Sequence, residues 1–330
     1  MASSLVFGNS LRAQDLHFSQ FFNSPLTTNP ANTGFIPDAD YRIGGNYRNQ
    51  WSAVMSVPYK TTSVFADAQL FRDRIENGWL GIGGVILNDE AGSGSLRSTK
   101  IYGSLAYHQM LGLSSLLSAG FNIGWASKRI DQSKLKFPDQ FDGKFFDNTL
   151  PTSVIFSNNN VNYIDVQAGM NYAYFPQENI YMNAGYSILH VNRPKETFFN
   201  DLSNNGRIPM RHIAFLNGIF KLNDRVIINP NAYFTMQAKA TELMFGLNGN
   251  YNLTEAGEKQ LVAGLYYRLG DAISPMLGFE LGTLKFTFSY DVTMSNLNKF
   301  NNYRGATEFS IIKKGFYPEN IDRQSLCPHF

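Results

Sequence analysis

From residue 40 onward the chain alternates apolar and polar residues with a period of two, in segments of about ten separated by turn residues. Leu117, Ala119, Phe121, Ile123 and Trp125 fall on one face of such a segment, and Ser118, Gly120, Asn122, Gly124, Ala126 and Lys128 on the other. A 3.6-residue period would scatter both sets. Ile164, Val166, Ala168, Met170, Tyr172 and Tyr174 alternate in the same way with Asp165, Gln167, Gly169, Asn171 and Ala173. So do Leu284, Phe286, Phe288, Tyr290 and Val292 with Lys285, Thr287, Ser289, Asp291 and Thr293. Further segments begin near Tyr41, Thr61, Trp79, Lys100, Asn179, Arg211, Arg225, Glu242, Leu261, Ile273 and Gly305. The pattern predicts about fourteen strands, and it is blurred between Trp79 and Leu87, where both faces are apolar.

Alternation alone also fits a soluble β-sandwich, so the content of the polar face decides. A sandwich exposes Lys and Glu on its polar faces. Here those faces hold mostly Asn, Gln, Ser, Thr, Gly and Tyr, as a crowded wet lumen would. The apolar faces often begin or end in an aromatic residue (Tyr41, Tyr47, Trp125, Tyr172, Tyr174, Tyr251, Tyr267, Tyr290), as girdles at two lipid interfaces do. In lipid every backbone donor and acceptor must pair, so the sheet must close. The expected fold is an all-β, antiparallel transmembrane barrel. Its connections alternate between short (111–114, 175–178, 223–224, 282–283) and long (129–160, 192–210, 295–304), which puts the short ones, and with them both chain ends, in the periplasm.

Composition agrees. Only 16% of the 330 residues are charged, against about 25% in an ordinary soluble domain. A net charge of +2 argues against nucleic acid as a partner, since phosphate binding needs clustered Lys and Arg. The mean hydropathy of −0.23 is too polar for a helical membrane bundle, and no stretch is apolar for about 18 residues. The single cysteine, Cys327, allows no internal disulfide.

Four regions follow. Residues 1–14 read as the end of a secretory signal, with Leu5, Val6 and Phe7 as its apolar part and cleavage near Ala13 and Gln14. Residues 15–39 are too punctuated by Pro and Asn for a strand. They read as a plug in the periplasmic mouth or lumen, anchored by Phe18, Phe21 and Phe22 and turned at Pro25, Pro30 and Gly34. Residues 40–313 form the barrel and 314–330 a periplasmic tail.

No catalytic set is visible. His17, His108, His190, His212 and His329 lack metal-ligand spacing, and neither a GxSxG elbow nor a phosphate loop occurs. A Ser187/His190 pair has no evident third member. No cofactor or metal is expected. Phe137, Phe141, Phe145 and Phe146 in one long loop, and Phe198 and Phe199 in another, are costly to leave in water. They read as a partner-docking surface or as loops packed on themselves, with calcium binding by Asp139, Asp142 and Asp147, whose spacing is not that of an EF-hand loop, as the minor alternative for the first loop. Arg42, Arg48, Asp67, Asp165, Arg268, Glu280, Lys285 and Asp291 fall on lumen faces, where mixed signs suit paired charges or plain wet-lumen positions better than an ion-selective ring.

The N-terminal Gln14-Asp15-Leu16-His17-Phe18-Ser19-Gln20, the Asn29-Pro30-Ala31-Asn32-Thr33-Gly34 element, Arg48-Asn49-Gln50-Trp51, and the terminal Cys327-Pro328-His329-Phe330 together resemble the PorP/SprF family of Bacteroidetes outer-membrane proteins. Asn32-Thr33 and His329 depart from the residues common there. The resemblance implies a place in the type IX secretion and gliding machinery. The partners it implies are outer-membrane lipid, secretion subunits (a periplasmic ring or lipoprotein, or the translocon) and a large secreted adhesin held by its C-terminal sorting domain. Cys327 and Phe330 would then lie with Phe18, Phe21, Phe22 and Pro30 on the plug and periplasmic side. The rival reading is a FadL-like uptake channel for small hydrophobic solutes.

Overall fold

The computed structural model describes residues 18–318, apart from 53, 56, 93–94, 136, 148, 155, 200–205 and 255–256. The signal-like residues 1–14, His17, and the tail positions Cys327, His329 and Phe330 lie outside the described residues. The strands are β1 (Tyr41–Gln50), β2 (Tyr59–Leu70), β3 (Gly78–Ala91), β4 (Leu96–Met110), β5 (Ser115–Arg129), β6 (Asn160–Gln177) and β7 (Ile180–Leu189). They continue with β8 (Arg211–Lys221), β9 (Val226–Gln237), β10 (Ala240–Asn252), β11 (Lys259–Arg268), β12 (Ala272–Leu281), β13 (Leu284–Thr293) and β14 (Arg304–Gly315). Each pairs antiparallel with the next, and β14 returns to β1 in register from Tyr41↔Gly315 to Gln50↔Ala306, which closes the barrel. The last strand thus runs two residues past the expected boundary at 313, because Lys314 still pairs with Arg42.

The period-two pattern sorts residues between outside and inside. On β5, Leu117, Phe121, Ile123 and Trp125 are exposed on the outer surface, while Leu116, Ser118 and Asn122 are buried inside. The outer surface is therefore apolar around the wall, with Ile43, Val64, Ile101, Ile164, Leu216, Leu247, Leu265, Leu277 and Ile311 all exposed. Water would penalise such a surface and hydrocarbon would not. The barrel presents a lipid-facing wall.

Inside, the lumen is filled by residues 18–40. They form 3-10 turns at Phe21–Asn23 and Pro30–Asn32 and one α-turn at Pro25–Thr28. The segment does not lodge at one mouth. It starts near the long-loop rim, where Ser19 meets Asp291 and Glu308 close to the adjoining ends of β13 and β14. It leaves at the short-turn rim, where the backbone of Asp40 bonds to Gly315 and Gln69. The first described residues thus stand toward the long-loop rim, and both chain ends lie outside the described residues.

The blurred stretch of β3 is explained by this filling. Trp79 packs with Phe35, and Val85 and Leu87 pack with Phe18 and Leu26, so the inward face of β3 meets an apolar plug instead of water.

Candidate functional site

Three sets of contacts fix the segment to the wall. The first is apolar. Phe21 sits among Leu189, Ile213, Phe215, Tyr233, Met244 and Tyr266, with Phe22 stacked on Tyr266 at 5.4 Å between ring centres. Phe18 and Leu26 enter a second cluster with Phe65, Val85 and Tyr102, and Phe35 a third with Trp79, Phe175 and Tyr181. Burying a side chain of this size contributes about 1.5–3 kcal/mol.

The second set is ionic. Arg48 bridges Asp291 (2.7 Å) and Glu308 (3.0 Å), and Arg268 reaches Asp291 at 3.0 Å. The backbone N–H groups of Ser19 and Gln20 donate to the two oxygens of Glu308, and the Ser19 hydroxyl donates to Asp291. The network is buried, so each charge is held by partners that also hold the plug. Lower down, Arg42 pairs with Asp67 at 2.7 Å, and Asp67 accepts the N–H of Gly34 at 2.8 Å. At the short-turn rim Lys314 contacts Asp38 and lies 3.6 Å from Glu280. Burial raises the Asp38 carboxyl and the Lys314 ammonium outweighs it, leaving the group below the ordinary carboxylate range. Of the lumen residues that the sequence singles out, all but Lys285 enter one of these pairs or the Asp165 contacts below. Glu308, Ser19 and Gln20 are not among them. Glu308 carried a signal, being an acidic residue on an inward face between Ala306 and Ser310.

The third set is close backbone approach. Asn29 accepts the N–H of Ala31 with its side-chain oxygen at 2.9 Å and donates its amide to the Met170 carbonyl at 2.8 Å. Pro30 begins the following turn with its φ already suited to it. The wall is thinned to admit them: a Cβ at Gly169 would lie 1.9 Å from the Asn29 oxygen, and one at Gly120 would lie 2.6 Å from the Pro30 carbonyl. Such distances are excluded, so both strands need glycine there.

The histidines occupy separate places. His108 stacks on Trp79 at 4.8 Å and bonds to the Thr33 carbonyl. His190 bonds to Asp165, which also accepts from Tyr102, and His212 bonds to Tyr186 on the outer surface. Ser187 donates to the Thr28 carbonyl at 2.7 Å, and its hydroxyl serves the plug.

Above the plug, toward the long loops, lies a cavity of about 850 Å³ lined by Arg48, Trp51, Tyr59, Lys100, Tyr163, His190, Glu196, Glu242 and Arg268 among others. Arg48 and Arg268 thus belong both to its lining and to the network beneath. Trp51 adopts a left-handed φ of 58° and meets Tyr59 edge-on at 5.2 Å. For a bulky residue that backbone is strained, and the N–H of Trp51 bonded to Gly305 helps hold it.

The long loops meet over this rim. Phe156 stands between Phe137 (6.1 Å) and Phe199 (5.0 Å), and the Phe198 carbonyl accepts the N–H groups of Ser157 and Asn158. Phe141 packs on Phe146 at 5.1 Å, whereas Phe145 is 73% exposed. Sequence reasoning passed over Phe156, the residue that joins the two loops. Aspartates staple the longer loop: Asp139 accepts the backbone N–H of Ser153, Asp142 those of Phe145 and Lys144, and Asp147 the hydroxyl and N–H of Thr149. These bonds hold the three carboxyls below the ordinary range.

The barrel thus combines a filled lumen, buried ion pairs, a polar vestibule and interlocked loops. Residues 10–312 match the family described as type IX secretion system membrane protein PorP/SprF. The chain belongs to the PorP/SprF family. No curated protein matches it. Among solved structures it is similar in fold to the Pseudomonas putida toluene transporter TodX (12% identity, TM-score 0.54, covering 90% of this chain and 95% of that one). It is also similar to the Ralstonia pickettii toluene transporter TbuX (10%, 0.52, 89% and 94%) and to a Pseudomonas aeruginosa FadL homologue (11%, 0.51, 88% and 94%). At these identities the likeness concerns the barrel, and the PorP/SprF membership carries the functional argument.

Proposed function

We propose that the protein is a non-enzymatic outer-membrane scaffold of type IX secretion. In this reading the lipid-facing wall anchors it, the vestibule and the loops at 130–159 and 190–210 dock a secreted adhesin through its C-terminal sorting domain or a translocon subunit, and the short-turn rim meets the periplasmic machinery. The observation that carries the reading, beside family membership, is the plug. It is bonded to β13 and β14 at one end, to β6 midway and to β2 at the other, so the lumen is braced from rim to rim. A FadL-like uptake channel would carry an N-terminal plug as well, but with an apolar solute pocket in its lumen, whereas a tightly occluded lumen favours a scaffold. Phe145, with Phe141, Phe146 and Phe199, supplies apolar surface at the outer rim of the kind that protein interfaces use.

The test is a gentle detergent pull-down from native outer membrane, using the intact protein and a form lacking residues 137–147, with mass spectrometry of the associated chains. A large secreted adhesin or secretion subunits with the intact protein, and loss of the adhesin on deletion, are the expected results. A barrel recovered alone, with solute-dependent conductance in single-channel recordings, would overturn the reading in favour of an uptake channel.

A further inference from the structure

The wall is indented on its outer side between β6 and β10. The β8–β9 ladder runs to Asn217↔Asn231 and resumes only at Phe220↔Ile228. Pro230 lies in the gap, and its ring nitrogen carries no hydrogen to donate. Opposite it, Gly218 has no side chain, so the rings of Phe220 and Pro230 lie low over its backbone: a Cβ there would come within 2.6 Å of the Phe220 ring and 3.2 Å of Pro230 Cγ. Ala184 and Ala232 flank the spot, and the small residues together open a groove of about 760 Å³. Its rim is Tyr172, Tyr174, Met182, Leu216, Phe220 and Phe245.

The occupant follows from where the groove sits. It is continuous with the lipid-facing surface, since Leu216 and Phe245 are among the most exposed apolar residues of the wall. Its aromatic end, Tyr172 and Tyr174, stands near the β6–β7 turn at the short-turn interface. On β8 it runs from Phe220, beside the β8–β9 turn, up to Leu216, which lies on one row across the strands with Tyr172, Ala184, Ala232 and Phe245. It therefore lies in the half of the wall nearest the short turns, below a girdle of tyrosines of the kind that meets headgroups and within the band that acyl chains cover. An apolar depression in hydrocarbon excludes water, and a chain seated in it gains contacts on several sides where a flat wall offers one. The volume falls in the range of about 300–1,000 Å³ typical of small-molecule sites.

We propose that this groove is a lipid site that holds one acyl chain of a phospholipid from the leaflet on the short-turn side. The site is distinct from the vestibule and loops, and it does not depend on the secretion reading.

The experiment uses the full-length protein in mild detergent, supplied with phosphatidylethanolamine and examined by native mass spectrometry. The variants Ala184→Phe and Ala232→Phe fill the groove, and Ala119→Phe places the same bulk on the exposed face of β5 as a control. Wild type and Ala119→Phe are expected to retain one phospholipid, and the two groove variants to retain about tenfold less. Equal retention in all four overturns the proposal. So does a wild-type barrel that carries a co-purified protein segment, and no phospholipid, in the groove. Should either groove variant fail to show the heat-shifted gel mobility of a folded barrel, a photoactivatable acyl chain on the wild type decides. Cross-links concentrated at Met182, Leu216 and Phe245 support the site, and cross-links spread evenly around the wall overturn it.

Discussion

The side-chain amide of Asn29 donates to the backbone carbonyl of Met170 while its oxygen caps the turn that Pro30 opens. One residue thus shapes the plug and ties it to β6. The Asn-Pro-Ala element is a local fold and an anchor at once, and Ala31, fully buried, is small enough to lie against Gly120.

Replacing Asn29 with Ala removes both bonds from a buried site. The expected cost is about 1–3 kcal/mol, the range for leaving a buried partner unsatisfied together with the loss of a cap. Hydrogen exchange of residues 29–34 reads this directly, and exchange as slow as in wild type would refute the anchoring role.

At Gly169 an added methyl group meets the Asn29 oxygen, and at Gly120 the Pro30 carbonyl. Gly169→Ala and Gly120→Ala are therefore expected to loosen the plug by about 1–3 kcal/mol without opening the barrel. Gly249→Ala, with open space at its Cβ, is the control. The check is protease cleavage confined to residues 18–40 in the glycine variants while the barrel keeps its folded gel mobility.

Arg48→Ala leaves Asp291 and Glu308 buried with less compensation. A loss of about 3–5 kcal/mol is expected, appearing as lowered resistance to urea and faster exchange at Ser19 and Gln20. Arg48→Ala combined with Asp291→Asn should cost less than the sum of the two, because they share one network. Additive losses would show that the pair is not coupled.

The loop carboxyls of Asp139, Asp142 and Asp147 are held low by bonds that exist only in the ordered loop. A carboxyl depressed in the folded state stabilises that state above its ordinary value, near pH 4, and this contribution fades as pH falls through the depressed value. Protease resistance of residues 130–159 should therefore stay constant from pH 7 to about 5 and decline below about 4. Asp139→Asn should weaken the loop already at neutral pH, and a loop equally resistant at pH 3 and pH 7 would contradict the stapling.

The alternation that places Phe121 outside and Asn122 inside was legible because lipid and lumen impose opposite preferences on neighbouring residues. The strand count of about fourteen and the two faces of each strand follow from it, whereas the pairing register does not, because alternation says nothing of which residues meet across neighbouring strands. Phe18, Phe21 and Phe22 were legible as anchors for the same reason, since aromatics in a segment without strand pattern need somewhere to be buried. The path of the plug was not, because nothing local in Ser19 or Gln20 distinguishes Glu308 from any other partner. Phe156 stayed hidden among loop aromatics, since its role depends on two loops meeting. Pro230 lies in a segment whose alternation is otherwise intact, and its effect appears only when Gly218 is found opposite.

The bond from Ser19 to Glu308 joins positions 289 residues apart. Synthesis delivers the first long before the second, at about 5–20 residues per second. The partners of Ser19 do not exist as a surface until β13 and β14 are in place, and Arg48 completes its own pairs only then. The opening segment must therefore be kept from settling elsewhere while the wall is built around it, so that locking the interior and shutting the β1–β14 seam become a single late event.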